Sequence, residues 1–316
     1  VSNLEAKPTV TPCRSAANPG PVTEFFPSRA VPLGGIRAVT VDRVLPQRGL
    51  PTVGAWCFLD QFGPQHADMR VLPHPHVGLQ TVTWPLRGEI RHRDSVGSDV
   101  VVRPGQLNLM TAGRGIAHSE FSLGDTPLLH AVQLWVALPA ERADIEPSFE
   151  QHLTLPVFTV DNLRATVLMG ALGDAVSPAT AHTPLVGADL KVPAGTVTAL
   201  PLRRDFEYAV LVIEGELEIA GVRAAAGPLL YLGTGRDELT VGAVQDARAV
   251  LLGGEPFPDD LVMWWNFVGR DHDEIARARA DWENRDARFG AVAGHDGLRI
   301  PAPELPNVRL TPRRRG

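Results

Sequence analysis

The sequence predicts a mainly all-β protein made of two similar halves, with one helix near its end. Three observations predict this. First, short apolar runs alternate with turn residues along most of the chain. Its 30 glycines and 28 prolines are spread between those runs rather than clustered, as in many-stranded proteins. Second, one set of turn motifs occurs twice in the same order. Third, a helical pattern with a start signal stands only near the C-terminus.

Taken in order, residues 1–30 are punctuated by Pro and Ser and read as an arm. Strand-like runs follow at Ile36–Leu45, Gly54–Phe62, Leu79–Leu86, Ile90–Asp94, Val100–Arg103, Leu107–Met110, Ile116–Phe121 and Leu128–Ala137. Turn residues separate them at the spacing of a barrel or sandwich. Arg87-Gly88 predicts a tight hairpin turn between two of them. A polar, Pro-containing stretch at Leu138–Pro156 marks the domain boundary. The expected division is an arm at 1–30, a first barrel at 31–145, a second at 146–290 and a Pro/Arg-rich tail at 291–316.

The second half repeats the style, with runs at Leu163–Gly170, Asp189–Val192, Val197–Leu202, Tyr208–Ile213, Leu217–Ile219, Leu229–Leu232, Leu239–Val241 and Ala247–Leu252. Asp271-x-x-Glu274 then has the form of a helix N-cap with a capping box. Ile275, Ala278, Trp282 and Phe289 supply one apolar face behind it. The tail from Pro301 ends in Arg313-Arg314-Arg315 and is expected to be loosely ordered.

The internal repeat carries more weight than any single strand. Pro85-Leu-Arg-Gly-Glu-Ile90 echoes Val212-Ile-Glu-Gly-Glu-Leu217, and Arg103-Pro-Gly105 has a counterpart in Ala226-Gly-Pro228. Thr111-Ala-Gly-Arg114 echoes Gly233-Thr-Gly-Arg236. Chance resemblance of turns is the alternative, and three echoes in one order argue against it.

The 316 residues are 44% hydrophobic and 21% charged with a net charge of −6, as in a globular domain pair that does not bind nucleic acid through bulk charge. The two cysteines, Cys13 and Cys57, form no CxxC and no disulfide framework, which fits a cytoplasmic setting. No run of about 18 apolar residues predicts a membrane span. Val1 to Pro12 contains no apolar signal-peptide core.

One constellation carries chemistry. His74-Pro-His76 precedes a strand-like run, and in an extended chain residues i and i+2 point to one face. His118-Ser-Glu120 has the same spacing. On adjacent strands these pairs would bring three imidazoles and one carboxylate together. A single HxH in a strand is often without function; two such pairs are a candidate metal site. The set suits Fe(II), Mn(II), Ni(II), Cu(II) or Zn(II) and lacks the thiolates of structural zinc sites. An octahedral ion would keep two positions open for water, substrate or dioxygen.

The other candidates read as structural. His92, beside Arg91, Arg93 and Asp94, reads as part of a solvated charged strand, and His130 as a hydrogen-bonded core histidine. His66, His152, His182, His272 and His295 have no partner at ligand spacing. Arg114 fits a place facing the cleft and a place supporting its loop equally. Trp264-Trp265 reads as packing under the final helix, and the Arg313–Arg315 run as a solvated tail.

His74-Pro-His-Val-Gly-Leu-Gln-Thr-Val-Thr83 and Met110-Thr-Ala-Gly-Arg-Gly-Ile-Ala-His-Ser-Glu120 resemble the signature of the pirin family. Phe58-Leu-Asp-Gln-Phe-Gly63, Arg103-Pro-Gly105, Leu129-His-Ala-Val-Gln-Leu-Trp-Val-Ala-Leu-Pro139 and Trp265-Asn-Phe-Val-Gly-Arg270 are similar to further family segments, so the resemblance spans about Val31 to Arg288. It implies a bicupin, two face-to-face cupin β-barrels, with one divalent metal ion, usually iron, in the N-terminal barrel. The family's ligands fall on His74, His76, His118 and Glu120. It also implies quercetin 2,3-dioxygenase chemistry, or regulation of a transcription factor or metabolic enzyme in response to metal or redox state. Where the family commonly has Glu after the first HxH, this chain has Gln80, a neutral amide that alters charge near the ion.

Aligning Gly88 with Gly215 places His74 on Pro201, His76 on Arg203 and Gln80 on Glu207. Aligning Gly113 with Gly235 places His118 on Thr240 and Glu120 on Gly242. This predicts a second barrel without metal. Two functions follow from the readings. One is a dioxygenase acting on a small aromatic, flavonol-like substrate and dioxygen, with Glu120 as catalytic base. The other is a metal- or redox-responsive protein that binds a protein partner.

Overall fold

A computed structural model describes residues 7–8, 11–13, 20–33 and 39–311. Ile36 to Ala38 of the first expected strand and the Arg313–Arg315 run lie outside them. The protein is mainly β, and every strand pairing between neighbouring strands is antiparallel. The first half pairs a seven-stranded sheet with a four-stranded one. The larger runs Ser148–His152, Leu107–Thr111, Leu79–Arg87, Leu128–Ala137, Trp56–His66, Val39–Leu45, Arg29–Leu33. The smaller runs Arg70–His76, Ile116–Ser122, Ile90–Asp94, Asp99–Val102. The second half repeats this with an eight-stranded sheet and the four strands Val197–Pro201, Glu238–Gly242, Glu216–Ile219 and Val222–Ala225. Among the described residues the two sheets of each half stay separate, so hydrogen bonding between them does not close a full barrel in either.

Two strands join the half opposite to their place in the chain. Pro21–Phe26, inside the expected arm, pairs with Leu229–Gly233 of the second half. Ser148–His152 pairs with Leu107–Thr111 of the first. Strands are thus exchanged across the division expected at 145 and 146. The predicted hairpin at Arg87-Gly88 is instead a corner. Leu79–Arg87 lies in the seven-stranded sheet and Ile90–Asp94 in the four-stranded one. Gly88 has φ +81° and a Cβ there would meet Leu128 O at 2.7 Å, so the chain passes from sheet to sheet through a conformation and a gap suited to glycine.

The two large sheets face each other across a continuous apolar core. Phe58, Val82 and Leu134 from the first half pack with Met169, Leu211 and Val250 from the second. Each such side chain contributes about 1.5–3 kcal/mol by leaving water. Polar pins cross the seam. Trp56 Nε1 donates to Val186 O and Gly253 O at 3.1 and 3.2 Å. Gly54 N donates to Glu207 Oε1 at 2.6 Å, and Trp84 Nε1 to Asp189 Oδ2 at 3.2 Å. The final helix, His272–Glu283, starts at Asp271, whose side chain accepts from Glu274 N. Its Ile275, Ala278 and Trp282 pack with Trp264, Trp265 and Phe289, as expected. As far as Leu310 the tail packs more closely than its composition predicts: Ala302 and Leu310 are buried in that same cluster. Among the described residues no helix is long and apolar enough to cross a membrane.

Candidate metal centre

The small sheet of the first half positions the candidate ligands. Arg70–His76 is its edge strand, which is why Pro73 and Pro75 are tolerated there. The tail covers that edge, with Ile300 N donating to Pro73 O at 2.8 Å. Ile116–Ser122 runs alongside, with His118 opposite His74 and Ile116 opposite His76. On its other side it pairs with Ile90–Asp94, placing His92 opposite Glu120 and Asp94 opposite His118. The pairing shifts register between His118 and Glu120 on the edge-strand side, a local bend of the kind that re-aims side chains at functional sites.

The donor atoms of His74, His76 and His118 lie within 4.8 Å of one another. His76 Nε2 and His118 Nε2 are 3.1 Å apart. Two nitrogens bound to one ion at about 2.1 Å and a right angle would stand about 3.0 Å apart, so the spacing fits adjacent ligands. Glu120 joins this trio through His118: His92, His118 and Glu120 form a second set within the same limit. The four residues singled out in the sequence thus fall into two overlapping groups of three that share His118, with His92 as the fifth member. Thr83 Oγ1 lies 3.2 Å from Glu120 Oε1 and 3.0 Å from Gln133 Oε1, two acceptors for its one proton.

The electrostatics suit a cation. His74, His76, His92, His118 and Glu120 are all at most 2% exposed. Burial pushes His74 down to about 4. Burial, together with the neighbouring His74, holds His76 and His118 well below the ordinary imidazole value. At neutral pH these three rings are therefore neutral, the form that binds metal. His74 Nδ1 lies 2.8 Å from Leu72 O, a contact that requires a proton on Nδ1 and leaves Nε2 as the donor to an ion.

His92 is a correction to the sequence reading. It is buried, and the strand Ile90–Asp94 turns Ile90, His92 and Asp94 inward while Arg91 and Arg93 face outward. His92 Nε2 is 2.9 Å from Asp94 Oδ2, and His92 Nδ1 is 3.4 Å from His118 Nδ1. Its ring stacks on Phe149 at 4.5 Å. Asp94 Oδ1 accepts from Val96 N and Ser98 N at 3.1 and 2.9 Å. Burial opposes the charge on Asp94, but the hydrogen bonds from His92 and Ser98 prevail and hold its carboxyl below its usual value. The signal for this pair was the alternation Ile-Arg-His-Arg-Asp itself, which places His92 and Asp94 on the face of Ile90.

The other sequence candidates take structural places. Gln80 is fully buried, its amide nitrogen donating to Thr111 Oγ1 at 2.9 Å and Thr180 O at 3.1 Å. His130 is a core histidine, 3.4 Å from Gln61 Nε2 and 3.5 Å from Glu214 Oε1. His295, given no role from sequence, is buried on the outer face of the ligand strand, 2.8 Å from Ser119 Oγ. Arg114 supports its loop, paired with Glu146 at 2.8 Å.

The repeat alignment needs a shift of one residue. Leu200 stands opposite Leu239 as His74 stands opposite His118. Ile219 stands opposite Val241 as His92 stands opposite Glu120. The inward positions of the second half are thus Leu200, Ile219, Leu239 and Val241, all in its apolar core. Pro201, Arg203 and Thr240, picked by turn alignment, are exposed. At the positions matching His74, His92, His118 and Glu120 the described residues of this half are therefore apolar, where the turn alignment had put Pro201, Thr240 and Gly242.

Known proteins resemble this chain over most of its length. Residues 38–136 match the Pirin family model, and residues 187–290 match the model of the Pirin C-terminal cupin domain. A Pseudomonas aeruginosa protein named as a putative quercetin 2,3-dioxygenase is 48% identical over 283 residues, covering 88% of this chain and 89% of that protein. Human pirin is 30% identical, covering 68% of this chain and 77% of its own. The crystal structure of a quercetin 2,3-dioxygenase from Acinetobacter baumannii superposes with a TM-score of 0.88 at 40% identity, covering 94% of this chain and 99% of that one.

Proposed function

The chain belongs to the pirin family, and from that premise we propose that it is a mononuclear metal-dependent dioxygenase of the quercetin 2,3-dioxygenase type. The observation that carries the reading is the convergence of three neutral imidazoles in the first half, one of which, His118, is also grouped with the buried carboxylate of Glu120. His74, His76 and His118 would hold the ion through nitrogen, with Glu120 as the fourth ligand. Fe(II) is the metal proposed, on a donor set that also accepts Zn, Mn, Ni or Cu. When bound, the ion supplies a Lewis acid with positions open to a flavonol-like substrate and dioxygen.

The chain's own residues do the rest. Glu120 takes the proton of the substrate hydroxyl, and Thr83 Oγ1, 3.2 Å from its Oε1, holds the carboxylate toward the interior. The buried walls exclude bulk water, which strengthens each charge interaction at the site. The similarity to proteins named for quercetin dioxygenase chemistry supports the substrate class.

The test is oxygen uptake by protein loaded anaerobically with Fe(II), using quercetin and related catechols. Uptake dependent on both metal and substrate is expected, with a fall of about 100-fold or more in Glu120→Gln, the usual contribution of a general base. Absence of uptake with every one of the five metals would overturn the reading.

A further inference from the structure

We propose that Asp94 and His92 form a buried positioning relay that fixes the proton of His118 on Nδ1, so that its Nε2 lone pair faces the metal centre. The inference rests on the metal reading above. It assigns roles to two residues outside the proposed ligand set of His74, His76, His118 and Glu120.

The protons are placed along one line of atoms. Asp94 is held on one side by the backbone: its Oδ1 accepts from Val96 N and Ser98 N. Its Oδ2 is 2.9 Å from His92 Nε2. An ionised carboxylate can only accept, so His92 Nε2 carries a proton and donates it. The relay takes His92 as the neutral imidazole with its single N–H on Nε2, which makes Nδ1 an acceptor. The atom facing it at 3.4 Å is His118 Nδ1, which therefore carries the proton. His118 Nε2 is left with its lone pair, and it faces His76 Nε2 at 3.1 Å. Stacking on Phe149 fixes the plane of the His92 ring. His74 has its own proton placed by a backbone carbonyl, Leu72 O. His118 lies mid-sheet, where the backbone is used in strand pairing on both sides, so side chains must do that work. Outer partners of this kind typically change metal affinity by about 10–100-fold.

Three variants test the relay. In Asp94→Asn the amide oxygen stays with Val96 N and Ser98 N, and the NH2 group faces His92 Nε2. His92 must then accept at Nε2 and donate from Nδ1, so His118 must move its proton to Nε2. His92→Leu removes the acceptor altogether. His92→Gln keeps both functions, since its amide can donate to Asp94 and accept from His118. Zinc(II) titration of metal-free full-length protein should show Asp94→Asn and His92→Leu about 10–100-fold weaker than wild type. His92→Gln should lie within a few-fold of it. A second readout is independent of metal: the imidazole 15N shifts of His118 should report the Nδ1–H tautomer in wild type and His92→Gln, and the Nε2–H tautomer in Asp94→Asn.

If Asp94→Asn does not fold, His92→Leu against His92→Gln carries the comparison alone. Wild-type zinc affinity in both Asp94→Asn and His92→Leu, or an Nε2–H tautomer of His118 in the wild type, overturns the relay. If the wild type takes up no zinc, the metal reading fails, and the tautomer measurement still decides the relay.

Discussion

The two halves share a strand plan and differ in what fills it. Between the sheets of the second half lie Leu200, Ile219, Leu239 and Val241, packed with Val210, Leu230 and Leu251. At the matching places in the first half stand His74, His92, His118 and Glu120, with Thr83 between Glu120 and Gln133, all buried. The apolar cluster left inside the first half is correspondingly small, with Val31, Phe62, Val71, Ile90 and Leu129 among its members. Stability and chemistry have been separated. The second half supplies apolar burial, and the shared seam of large sheets lends it to the first. Buried imidazoles and carboxylates cost free energy unless partnered, and a firm neighbouring core makes that cost tolerable.

The largest effect comes from making the first half resemble the second. His118→Leu puts the residue of position 239 at the centre of both ligand groups. Metal affinity should fall by more than the about 100-fold typical of losing an outer partner. The stabilisation that a saturating metal gives the wild type, about 2.7 kcal/mol at a hundred times Kd, should vanish. Zinc titration and thermal melts with and without metal check both. A variant that keeps one tightly held ion and the full melting shift would place the centre elsewhere.

Acid should distinguish the halves next. His74 titrates near 6.5 in an unfolded chain and is pushed down by burial to about 4 in the folded one, with His76 and His118 also held well below the ordinary value. Between those values the unfolded state binds more protons than the folded state. Stability of the metal-free protein therefore falls as pH drops from 6.5 toward 4, by about 1.4 kcal/mol per pH unit for each histidine fully engaged. Urea midpoints between pH 7 and pH 5 measure this. The same series on His118→Leu should be one proton shallower. An unchanged slope would mean that these rings do not set the acid sensitivity.

Much of the site was legible because strands have a period of two. His74 with His76, and His118 with Glu120, declared a shared face by spacing alone. Two things were not legible. The arginines flanking His92 hid an inward face that only the pairing with Ile116–Ser122 reveals. Turn motifs aligned the halves one residue out of step, because the chain between a corner and its strand differs in length between them. A slip of one residue exchanges inside for outside, which is how exposed Thr240 stood in for buried Leu239. The all-β class and the twofold plan came through, since turn residues and apolar runs are local. The seam did not, because Trp56 and Trp84 bury themselves between the large sheets and not within their own half.

The smallest effect tests that one-residue correction. If Ile219 and Leu239 point inward as His92 and His118 do, trimming them should cost stability while their chain neighbours are indifferent. Ile219→Val removes one methyl group from a side chain that is 1% exposed, and about 0.5–1.5 kcal/mol should be lost. Thr240→Ala, on the exposed face of the next strand, should stay within about 0.5 kcal/mol of wild type. Equilibrium urea unfolding resolves the two. Should Thr240→Ala prove the costlier change, the turn-based alignment would be right. The absence of ligands from the second half would then rest on Pro201, Arg203, Thr240 and Gly242 instead of on a continuous apolar lining. The contrast between a polar and an apolar interior depends on this register, and a pair of single substitutions is enough to decide it.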